Sequence, residues 1–342
     1  MNNSVELVRN FISNGILLTK VSDGLYRCNC PFCKEEEITS MFVSSSLQEY
    51  KCFSCGRNGN ITNFYMELNN TDFFGAVKIA TGKDADSSQF YKENEVYYRM
   101  NTDAAKHFYK TLHSSLGKKG LEYWKNRGLS EETMTKYGLG YAGSFGLYDS
   151  LKKDYSIKSL SKNGLIRSKG GKHYDFFYNR VIVPIIDENG NILGFGGRVL
   201  DDSKPKYINT GATPIFDKRM HLFNLNIAKD THRDGFILCE GYMDCIGLYN
   251  AGFDNAVASL GTALTEEQVH LLKHYTNHVY LCYDNDDAGR NAMDNAYTLC
   301  KKQGIYIKCI DLLESKDPDE FIKKYGALAF EKQIISASYY NR

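Results

Sequence analysis

Apolar and polar positions change their spacing along the chain, and these changes predict its organisation. Residues 4–14 have helical spacing, whereas short alternating runs over 24–55, interrupted by Cys and Gly, predict strands. Helical patterns follow over 61–68 and 72–80. Residues 81–95 are polar and have no clear period, which predicts a domain boundary there.

The middle of the chain predicts helices and then a strand pair. Residues 100–137 have helical patterns, with Ser130 as an N-cap before two glutamates. Two apolar runs, 180–186 and 192–200, predict strands, and the Asn-Gly pair between them favours a hairpin.

Strands and helices alternate from residue 236 onward. Strands are predicted over 236–240, 255–258, 279–283 and 305–310, with helices over 242–250, 265–275 and 287–302. This alternation predicts a mainly parallel sheet covered by helices, followed by a short helical tail.

Composition excludes some classes of protein. The chain has 342 residues and is 42% hydrophobic, so it can form cores, and its length predicts two or three domains. The N-terminus has no signal-peptide pattern, and no run of about 18 apolar residues predicts a membrane span. We therefore expect a cytoplasmic protein, in a bacterial cell or encoded by a phage or mobile element, whose ten cysteines are reduced.

The charges are segregated along the chain. The net charge is +1, but residues 160–235 carry 12 basic and 8 acidic residues, whereas residues 236–320 carry 6 basic and 14 acidic residues. A nearly neutral total therefore does not exclude a nucleic-acid partner, because a basic segment precedes an acidic one.

Two close cysteine pairs predict a metal site. Cys30 and Cys33 are followed, after 18 residues, by Cys52 and Cys55, a spacing that is typical of zinc sites. Four thiolates at about 2.3 Å from one Zn²⁺ would complete its tetrahedron, so this zinc would be structural. Cys28 could be a ligand in place of Cys30. We prefer Cys30, because it gives the two-residue gap before Cys33.

The strands between the cysteine pairs leave two interpretations open. Residues 41–44 and 50–53 alternate, with aromatic and basic residues on one face. Such a face could stack and contact single-stranded DNA, or it could be an ordinary half-buried sheet.

Three carboxylate groupings follow three of the predicted parallel strands. They are Glu240 with Asp244, Asp284 with Asp286, and Asp317 with Asp319. Because the carboxyl ends of parallel strands share one edge, we expect the groupings to meet and to bind Mg²⁺ or Mn²⁺. Taken singly, the aspartates before the helices near 288 and 320 could instead be helix caps.

The sequence of these segments resembles DnaG-type bacterial and phage primases. Four segments, 240–244, 259–264, 284–290 and 316–320, are similar to the motifs of a TOPRIM domain. Residues 30–56 resemble the primase zinc ribbon, although that family usually has His where Cys33 stands. Residues 123–141 and 194–218 resemble the polymerase domain, and the resemblance covers about 5–325.

The resemblance implies roles for particular residues. Glu240, Asp284 and Asp286 would be the main catalytic metal ligands, and Asp244, Asp317 and Asp319 would complete or extend the site. A basic groove would bind template and nucleotide. Its residues would be Arg127, Arg180, Arg198, Lys206, Asn209 and Lys218. Gly194, Gly196 and Gly197 would permit close backbone approach to phosphates.

The resemblance also implies a fold and a domain order. We expect an α+β multidomain chain with an N-terminal zinc ribbon, a mixed α/β polymerase subdomain and an α/β TOPRIM domain. The predicted limits are 1–82 for the ribbon, 83–98 for a linker, 99–232 for the core subdomain, 233–320 for TOPRIM and 321–342 for a helical tail.

The function that the resemblance implies is DNA primase. Single-stranded DNA would be the template and ribonucleoside triphosphates the substrates, with structural Zn²⁺ and catalytic Mg²⁺ or Mn²⁺. A replicative helicase is a further expected partner, through an unidentified surface. A TOPRIM nuclease and a non-catalytic single-stranded DNA-binding protein are the alternatives. The chain is either a naturally short primase or part of a longer one.

Overall fold

The computed structural model describes residues 6–33, 40–46, 49–55, 57–59, 61–69, 79, 87–261 and 263–339. The chain divides into two compact units, Met1–Glu93 and Asn94–Arg342. The domain limits given above stay a prediction. The helix predicted over 72–80 and Thr262 lie outside the described residues, apart from Ile79.

The first unit is a small antiparallel sheet with helices. Its strands pair in chain order, each with the next. The elements are α1 (Glu6–Ser13), β1 (Thr19–Ser22), β2 (Leu25–Cys28), β3 (Met41–Ser44), β4 (Glu49–Cys52), β5 (Asn58–Gly59) and α2 (Ile61–Asn69).

Aromatic side chains form the core of the first unit. Phe11 of α1 stacks on Phe64 of α2 with ring centroids 4.2 Å apart, and Tyr50 of β4 lies 5.9 Å from Phe11. All three rings are buried, as is Leu7. Ile12, which the helical spacing placed on the apolar side, is 58% exposed.

The second unit begins within a long helix, α3 (Ser87–Leu112). The latter part of the polar segment predicted as a linker is thus helical, although its sequence shows no clear apolar period. The elements that follow are α4 (Lys118–Asn126), α5 (Glu131–Lys136), β6 (Gly140–Ala142), α6 (Leu147–Leu151), α7 (Ile157–Lys162), β7 (Ile166–Lys169) and β8 (Lys172–Asp175).

A four-stranded antiparallel sheet forms the first half of this unit. Its strand order is β11, β10, β9, β6, and it uses β9 (Arg180–Ile186), β10 (Ile192–Val199) and β11 (Tyr207–Asn209). The hairpin predicted at Asn189-Gly190 joins β9 to β10, where Gly190 adopts a positive φ of 88°.

A five-stranded, mostly parallel sheet forms the second half. Its order is β13, β12, β14, β15, β16, and only β16 is antiparallel. The elements are α8 (Leu225–Ala228), β12 (Phe236–Cys239), α9 (Tyr242–Asn250), β13 (Ala256–Ala258), α10 (Glu266–Tyr275), β14 (His278–Cys282), α11 (Asp287–Lys302), β15 (Tyr306–Cys309), α12 (Pro318–Tyr325), α13 (Ala327–Ser336) and β16 (Ser338–Tyr339).

Alternate residues of β12 face two different cores. Ile237 and Cys239 join a core with Val181 and Val183 of β9, whereas Leu238 packs on the side of α10 and α11. Because side chains alternate along β12, both faces of the parallel sheet are buried. One of these faces packs against the antiparallel sheet.

The α+β architecture expected from the sequence is confirmed. The predicted strands and helices from 236 to 302 are present, with ends that differ by at most one residue, and the tail after 321 is largely helical. Strand β16 was not predicted. No helix in the part of the chain that the structure describes is both long and apolar enough to cross a membrane.

Candidate active site

Four cysteine sulfurs converge in the first unit. The Sγ atoms of Cys30, Cys33, Cys52 and Cys55 all lie within 4.8 Å of one another. Cys30 and Cys55 are 3.8 Å apart, and Cys33 and Cys52 are 3.6 Å apart. A tetrahedron with Zn–S bonds of about 2.3 Å has edges of about 3.8 Å, so the quartet fits one zinc ion.

Hydrogen bonds to sulfur favour the thiolate form of one member of the quartet, Cys52. The Cys55 amide lies 3.5 Å and the Ser40 hydroxyl 3.2 Å from the Sγ atom of Cys52. Although burial acts in the opposite direction, these contacts and the Ser54 amide lower the pKa of Cys52 to about 6. Thiolate character is what a zinc ligand requires.

Cys28 lies outside this cluster. It is 1% exposed at the end of β2 and is not among the sulfurs that converge. The geometry therefore favours Cys30, the alternative that gives the two-residue gap.

The carboxylates of the second unit follow neighbouring parallel strands. Glu240 follows β12, and Asp284 comes shortly after β14, which pairs with β12 so that Cys239 lies opposite Cys282. The chain leaves β12 toward β13 on one side and leaves β14 toward β15 on the other. The two carboxylates therefore flank the point where strand order reverses, the usual ligand crevice of such sheets.

The carboxylates raise one another's pKa. Burial, followed by repulsion from Glu240 and Asp317, raises the pKa of Asp284 to about 6. Burial and the charge of Asp286 also raise the pKa of Glu240. The groupings thus lie close enough to repel one another, and this repulsion favours a cation.

Asp244 is the deepest of these carboxylates. It is 8% exposed, and burial together with repulsion from Asp284 and Asp317 raises its pKa well above the ordinary value. One of its oxygens accepts a hydrogen bond from the Gly241 amide at 3.1 Å, which closes the start of α9.

The aspartates before α11 and α12 also serve as helix caps. Asp286 accepts from the Gly289 amide, and Asp317 accepts from the Glu320 amide, each at 2.8 Å. Each helix cap uses one oxygen of the aspartate. These residues can therefore cap a helix and also belong to the acidic edge.

The surroundings of Glu240 show whether the carboxylate edge suits a divalent cation. Its Oε2 atom is buried and has no hydrogen-bond partner among the residues that the structure describes. A buried carboxylate oxygen without a donor is costly unless a cation neutralises it. Among the described residues, the cysteine quartet is the only group of three or more His, Cys, Asp or Glu residues whose ligand atoms all lie within 4.8 Å of one another. The carboxylate ligands are therefore spaced more widely than the cysteine sulfurs.

Asp319 is already paired with cations. Its Oδ2 atom lies 2.8 Å from Nη1 of Arg127 and 2.6 Å from Nζ of Lys323. The bridge to Arg127 joins the parallel-sheet half to the C-terminal end of α4, where Arg127 is the C-cap residue. It therefore places a residue of the predicted basic groove directly at the acidic edge.

Arg198 lies close to the same place, between aromatic rings. Its guanidinium carbon is 4.8 Å from the centroid of Tyr123 and 5.8 Å from that of Tyr207. Arg127 shares Tyr123, because its Nε atom donates to the tyrosine hydroxyl at 2.8 Å. The structure therefore brings Arg127 and Arg198 together.

Arg180, in contrast, is used internally. It is 6% exposed, and its guanidinium donates to the carbonyls of Gly197, Pro205 and Lys206 at 3.0 to 3.4 Å. These bonds hold the segment before β11 against β10. The side chain is thus placed to support Lys206 and does not present its charge to solvent.

The remaining predicted groove residues are spread more widely. Lys206 is exposed beside Tyr207, with Nζ 5.9 Å from the ring centroid. Asn209 donates to the Leu260 carbonyl at 3.1 Å, and its buried Oδ1 atom has no partner. Lys218 is half-buried, and its carbonyl accepts from Gln268 of α10; within the described part of the chain its side chain contacts neither Arg127 nor Arg198.

The glycines of β10 have a different role from the one expected. A Cβ atom at Gly196 would lie 2.9 Å from the Tyr242 ring, and one at Gly197 would lie 2.7 Å from Phe177. One at Gly194 would meet Thr210 at 2.8 Å. These glycines make room for the protein's own side chains, so the space beside them is not open to a phosphate.

Sequence reasoning missed several residues that shape the site. The Asn285 amide donates to the Lys316 carbonyl at 2.7 Å, and its side chain donates to the Leu313 carbonyl at 3.0 Å. These bonds tie the Asp284 loop to the Asp317 loop. Tyr123 begins the segment 123–141 that resembles the polymerase domain, but no spacing signal marks the rings that surround Arg198.

Family models cover most of the chain. A CHC2 zinc finger model matches residues 1–96, a model of the N-terminal domain of the DNA primase catalytic core matches 107–229, and a Toprim-like model matches 237–322.

Curated relatives are similar over nearly the whole chain. A DNA primase of Clostridium acetobutylicum is 43% identical, over 90% of this chain and 53% of the relative. A DNA primase of Aquifex aeolicus is 38% identical, over 95% of this chain and 66% of the relative. The chain thus spans about half to two thirds of the length of these relatives.

Solved structures agree with the architecture. The zinc-binding and RNA polymerase domains of Aquifex aeolicus primase are 34% identical with a TM-score of 0.68, covering 99% of this chain and 87% of that one. A DnaG primase catalytic domain bound to single-stranded DNA is 32% identical with a TM-score of 0.67, covering 72% and 80%.

Fold and site together define a zinc-ribbon protein whose Toprim-type sheet carries a carboxylate edge beside paired arginines. The ribbon fits structural zinc, and the edge is of a kind that binds divalent metal. The chain belongs to the DnaG-type DNA primase family.

Proposed function

We propose that this protein is a DNA-dependent RNA primase. It would join ribonucleoside triphosphates on a single-stranded DNA template to make a short RNA primer. The observation that carries the proposal is the 2.8 Å bridge between Arg127 and Asp319. The guanidinium of Arg127 thus lies beside a carboxylate edge, and a cationic side chain and a metal-binding edge are the two components that a metal-bound triphosphate requires.

The carboxylate edge would hold the catalytic metal. Glu240, Asp284 and Asp286 are the proposed ligands of Mg²⁺ or Mn²⁺, supported by the partnerless Glu240 oxygen and by the raised pKa of Asp284. Divalent cations bound there would neutralise the triphosphate and stabilise the attacking and leaving oxygens. Asp244 and Asp317 would complete or extend this site, and Asp319 would hold Arg127.

The basic residues would hold the nucleotide and the template. Arg127 and Arg198 are proposed to contact the triphosphate, because they lie together beside Asp319. Lys206 would contact template phosphates from its exposed position, with Arg180 supporting its backbone. Asn209 would position nucleotide or template, and Lys218 is proposed as a more distant phosphate contact.

The ribbon would contact single-stranded template. Arg27, Phe42 and Lys51 lie side by side across β2, β3 and β4, and Phe53 is 67% exposed. The Phe53 ring lies 5.5 Å from Phe42 and 5.1 Å from Nζ of Lys51. Alternating cations and exposed rings favour base stacking with phosphate contact over an ordinary half-buried sheet. A solved DnaG primase catalytic domain bound to single-stranded DNA supports this partner class for the catalytic part of the chain.

Template-directed synthesis with labelled ribonucleotides tests the proposal. Zinc-loaded protein should make short RNA on single-stranded templates when Mg²⁺ or Mn²⁺ is present, and Asp284→Ala should not. Retention of varied templates without any product, even with a helper protein added, would contradict it.

The same assay separates the nuclease alternative, which the primase relatives do not favour. Metal-dependent nicking of DNA or RNA that Glu240→Gln abolishes, without primer synthesis, would support a nuclease.

A further inference from the structure

Tyr123 contacts both of the arginines that lie at the carboxylate edge. Tyr123 and Arg127 are four residues apart at the end of α4, so their side chains lie on one face of the helix. The tyrosine hydroxyl accepts a hydrogen bond of 2.8 Å from Nε of Arg127. The planar guanidinium is therefore fixed at two points, the Tyr123 hydroxyl and the Asp319 carboxylate.

The ring of Tyr123 holds the second arginine. The guanidinium carbon of Arg198 lies 4.8 Å from the Tyr123 centroid, within the range of a cation–π contact. Tyr207, which pairs with Arg198 across β11 and β10, flanks the guanidinium at 5.8 Å. Arg198 is thus confined by two rings that come from separate parts of the fold.

The charge of Arg198 is not neutralised by the protein. Among the described residues, no carboxylate lies within ion-pair distance of Arg198, whereas Arg127 has Asp319. The Nε atom of Arg198 and the hydroxyl of Tyr242 are both buried without a hydrogen-bond partner. Two donors without acceptors and an uncompensated cation together indicate a place for an anionic group.

We infer that Tyr123 is a positioning residue that sets both guanidinium groups for the phosphates of an incoming nucleoside triphosphate. Its hydroxyl orients Arg127, and its ring orients Arg198. This inference rests on the proposed function, because it assigns the anion as the substrate's triphosphate. Tyr123 itself need not touch the substrate.

The test compares two substitutions of Tyr123 in the full chain. Tyr123→Phe removes only the hydroxyl, and we expect it to raise the KM for nucleotide about tenfold while kcat changes less than about twofold. Tyr123→Leu also removes the ring, and we expect a further rise of about fivefold. Tyr109→Phe is the matched control, because the hydrogen-bond partner of that hydroxyl among the described residues is the hydroxyl of Thr135, at 3.5 Å.

A double substitution separates positioning from a merely structural role. In an Arg127→Gln background, Tyr123→Phe should cause no further rise in KM, because the hydroxyl acts through Arg127. An unchanged KM in Tyr123→Phe, or the same tenfold effect in the Arg127→Gln background, would overturn the inference. Melting temperatures check that each variant is folded.

Equilibrium binding of a nucleotide tests the inference separately from the proposed function. The affinity for a fluorescent GTP analogue in the presence of Mn²⁺ should weaken about tenfold in Tyr123→Phe and should be unchanged in Tyr109→Phe. If wild-type protein made no primer but showed this binding difference, the proposed function would fail and the assignment of Tyr123 would stand. Equal affinities for wild type and Tyr123→Phe would contradict the assignment itself.

Discussion

The cysteine quartet and the carboxylate edge arrange their ligands in opposite ways. The four sulfurs already lie at the separations that a tetrahedral zinc requires, with every partner facing one point. The carboxylates remain further apart, and several are tied to helix ends or to cations. The closed site can hold its ion permanently, whereas the open one leaves positions for a substrate's oxygens.

The difference follows from ligand chemistry and from the fold. Two tight turns carry the cysteine pairs, so the quartet is local to a small sheet whose core is otherwise a few aromatic rings. The carboxylates come from loops that are far apart in sequence and meet only at the edge of a parallel sheet. We expect loss of the first metal to disrupt folding of its unit, and loss of the second to disrupt chemistry alone.

The largest effect is expected from Cys52→Ser. Structural zinc contributes about 10 kcal/mol or more to the folding of small zinc domains, so the first unit should lose both zinc and its protected amides. Metal analysis and hydrogen exchange would show this, and the second unit should keep its protection. Cys28→Ser is the control and should retain zinc. A Cys52→Ser variant with full zinc content would show that the quartet is not the site.

Asp284→Asn should abolish synthesis without unfolding the protein. Metal stabilisation of the transition state is worth several kcal/mol, which corresponds to a loss of about 10³-fold in rate. Because burial and like charges raise the pKa of Asp284, its ionisation opposes folding at neutral pH, so the melting temperature should stay equal or rise. A large fall in melting temperature would instead make Asp284 a structural residue.

Asp319→Asn should weaken the contact between the two halves of the second unit. The pair with Arg127 is largely shielded, with exposed side-chain fractions of 15% and 24%, so we expect a loss of about 1–3 kcal/mol in unfolding free energy. Asp287→Asn breaks a pair with Arg290 that is 95% and 58% exposed, and it should change stability by less than about 0.5 kcal/mol. Equal effects of the two substitutions in urea unfolding would contradict this difference.

Phe53→Ala should weaken binding of single-stranded DNA about tenfold, because stacking of one base on an aromatic ring is worth about 1–3 kcal/mol. Fluorescence anisotropy with a labelled oligonucleotide measures this, and Leu17→Ala, at a residue that is 90% exposed in the same unit, is the control. Unchanged affinity in Phe53→Ala would favour an ordinary half-buried sheet.

The smallest effect is expected from mild acid. A proton competes with the cation for Asp284, whose pKa is about 6 before metal binds. Apparent Mn²⁺ affinity should therefore be about half-maximal near pH 6 and should fall further below it, while remaining nearly constant above pH 7. An affinity that is independent of pH between 5 and 7 would remove Asp284 from the ligand set.

The sequence predicted the ligands of the cysteine quartet more completely than the contacts of the carboxylate edge. Both cysteine pairs followed from spacing alone, because zinc requires close pairs whatever the rest of the fold. The carboxylate groupings followed from their places after strands, since a parallel sheet brings strand ends together. Spacing could not show that Asp286 and Asp317 are caps as well, nor that Asp319 is committed to Arg127.

Contacts between distant segments account for what the sequence did not predict. Arg180 looked like a groove residue, but its guanidinium is buried among backbone carbonyls of a segment about 25 residues away. Gly196 looked like an open approach to the backbone, but Tyr242 from the parallel-sheet half fills that space. Tyr123 carried no signal, because its role depends on an arginine 75 positions later in the chain.

The most direct test of the account is selective metal removal. Protein dialysed against a chelator of Mg²⁺ and Mn²⁺ should keep one zinc per chain, lose primer synthesis, and recover it when Mn²⁺ is added back. Mn²⁺ titration followed by electron paramagnetic resonance should show binding in wild type and loss of that binding in Asp284→Asn, with zinc unchanged in both. Recovery of synthesis by zinc alone, or equal Mn²⁺ binding by wild type and Asp284→Asn, would contradict it.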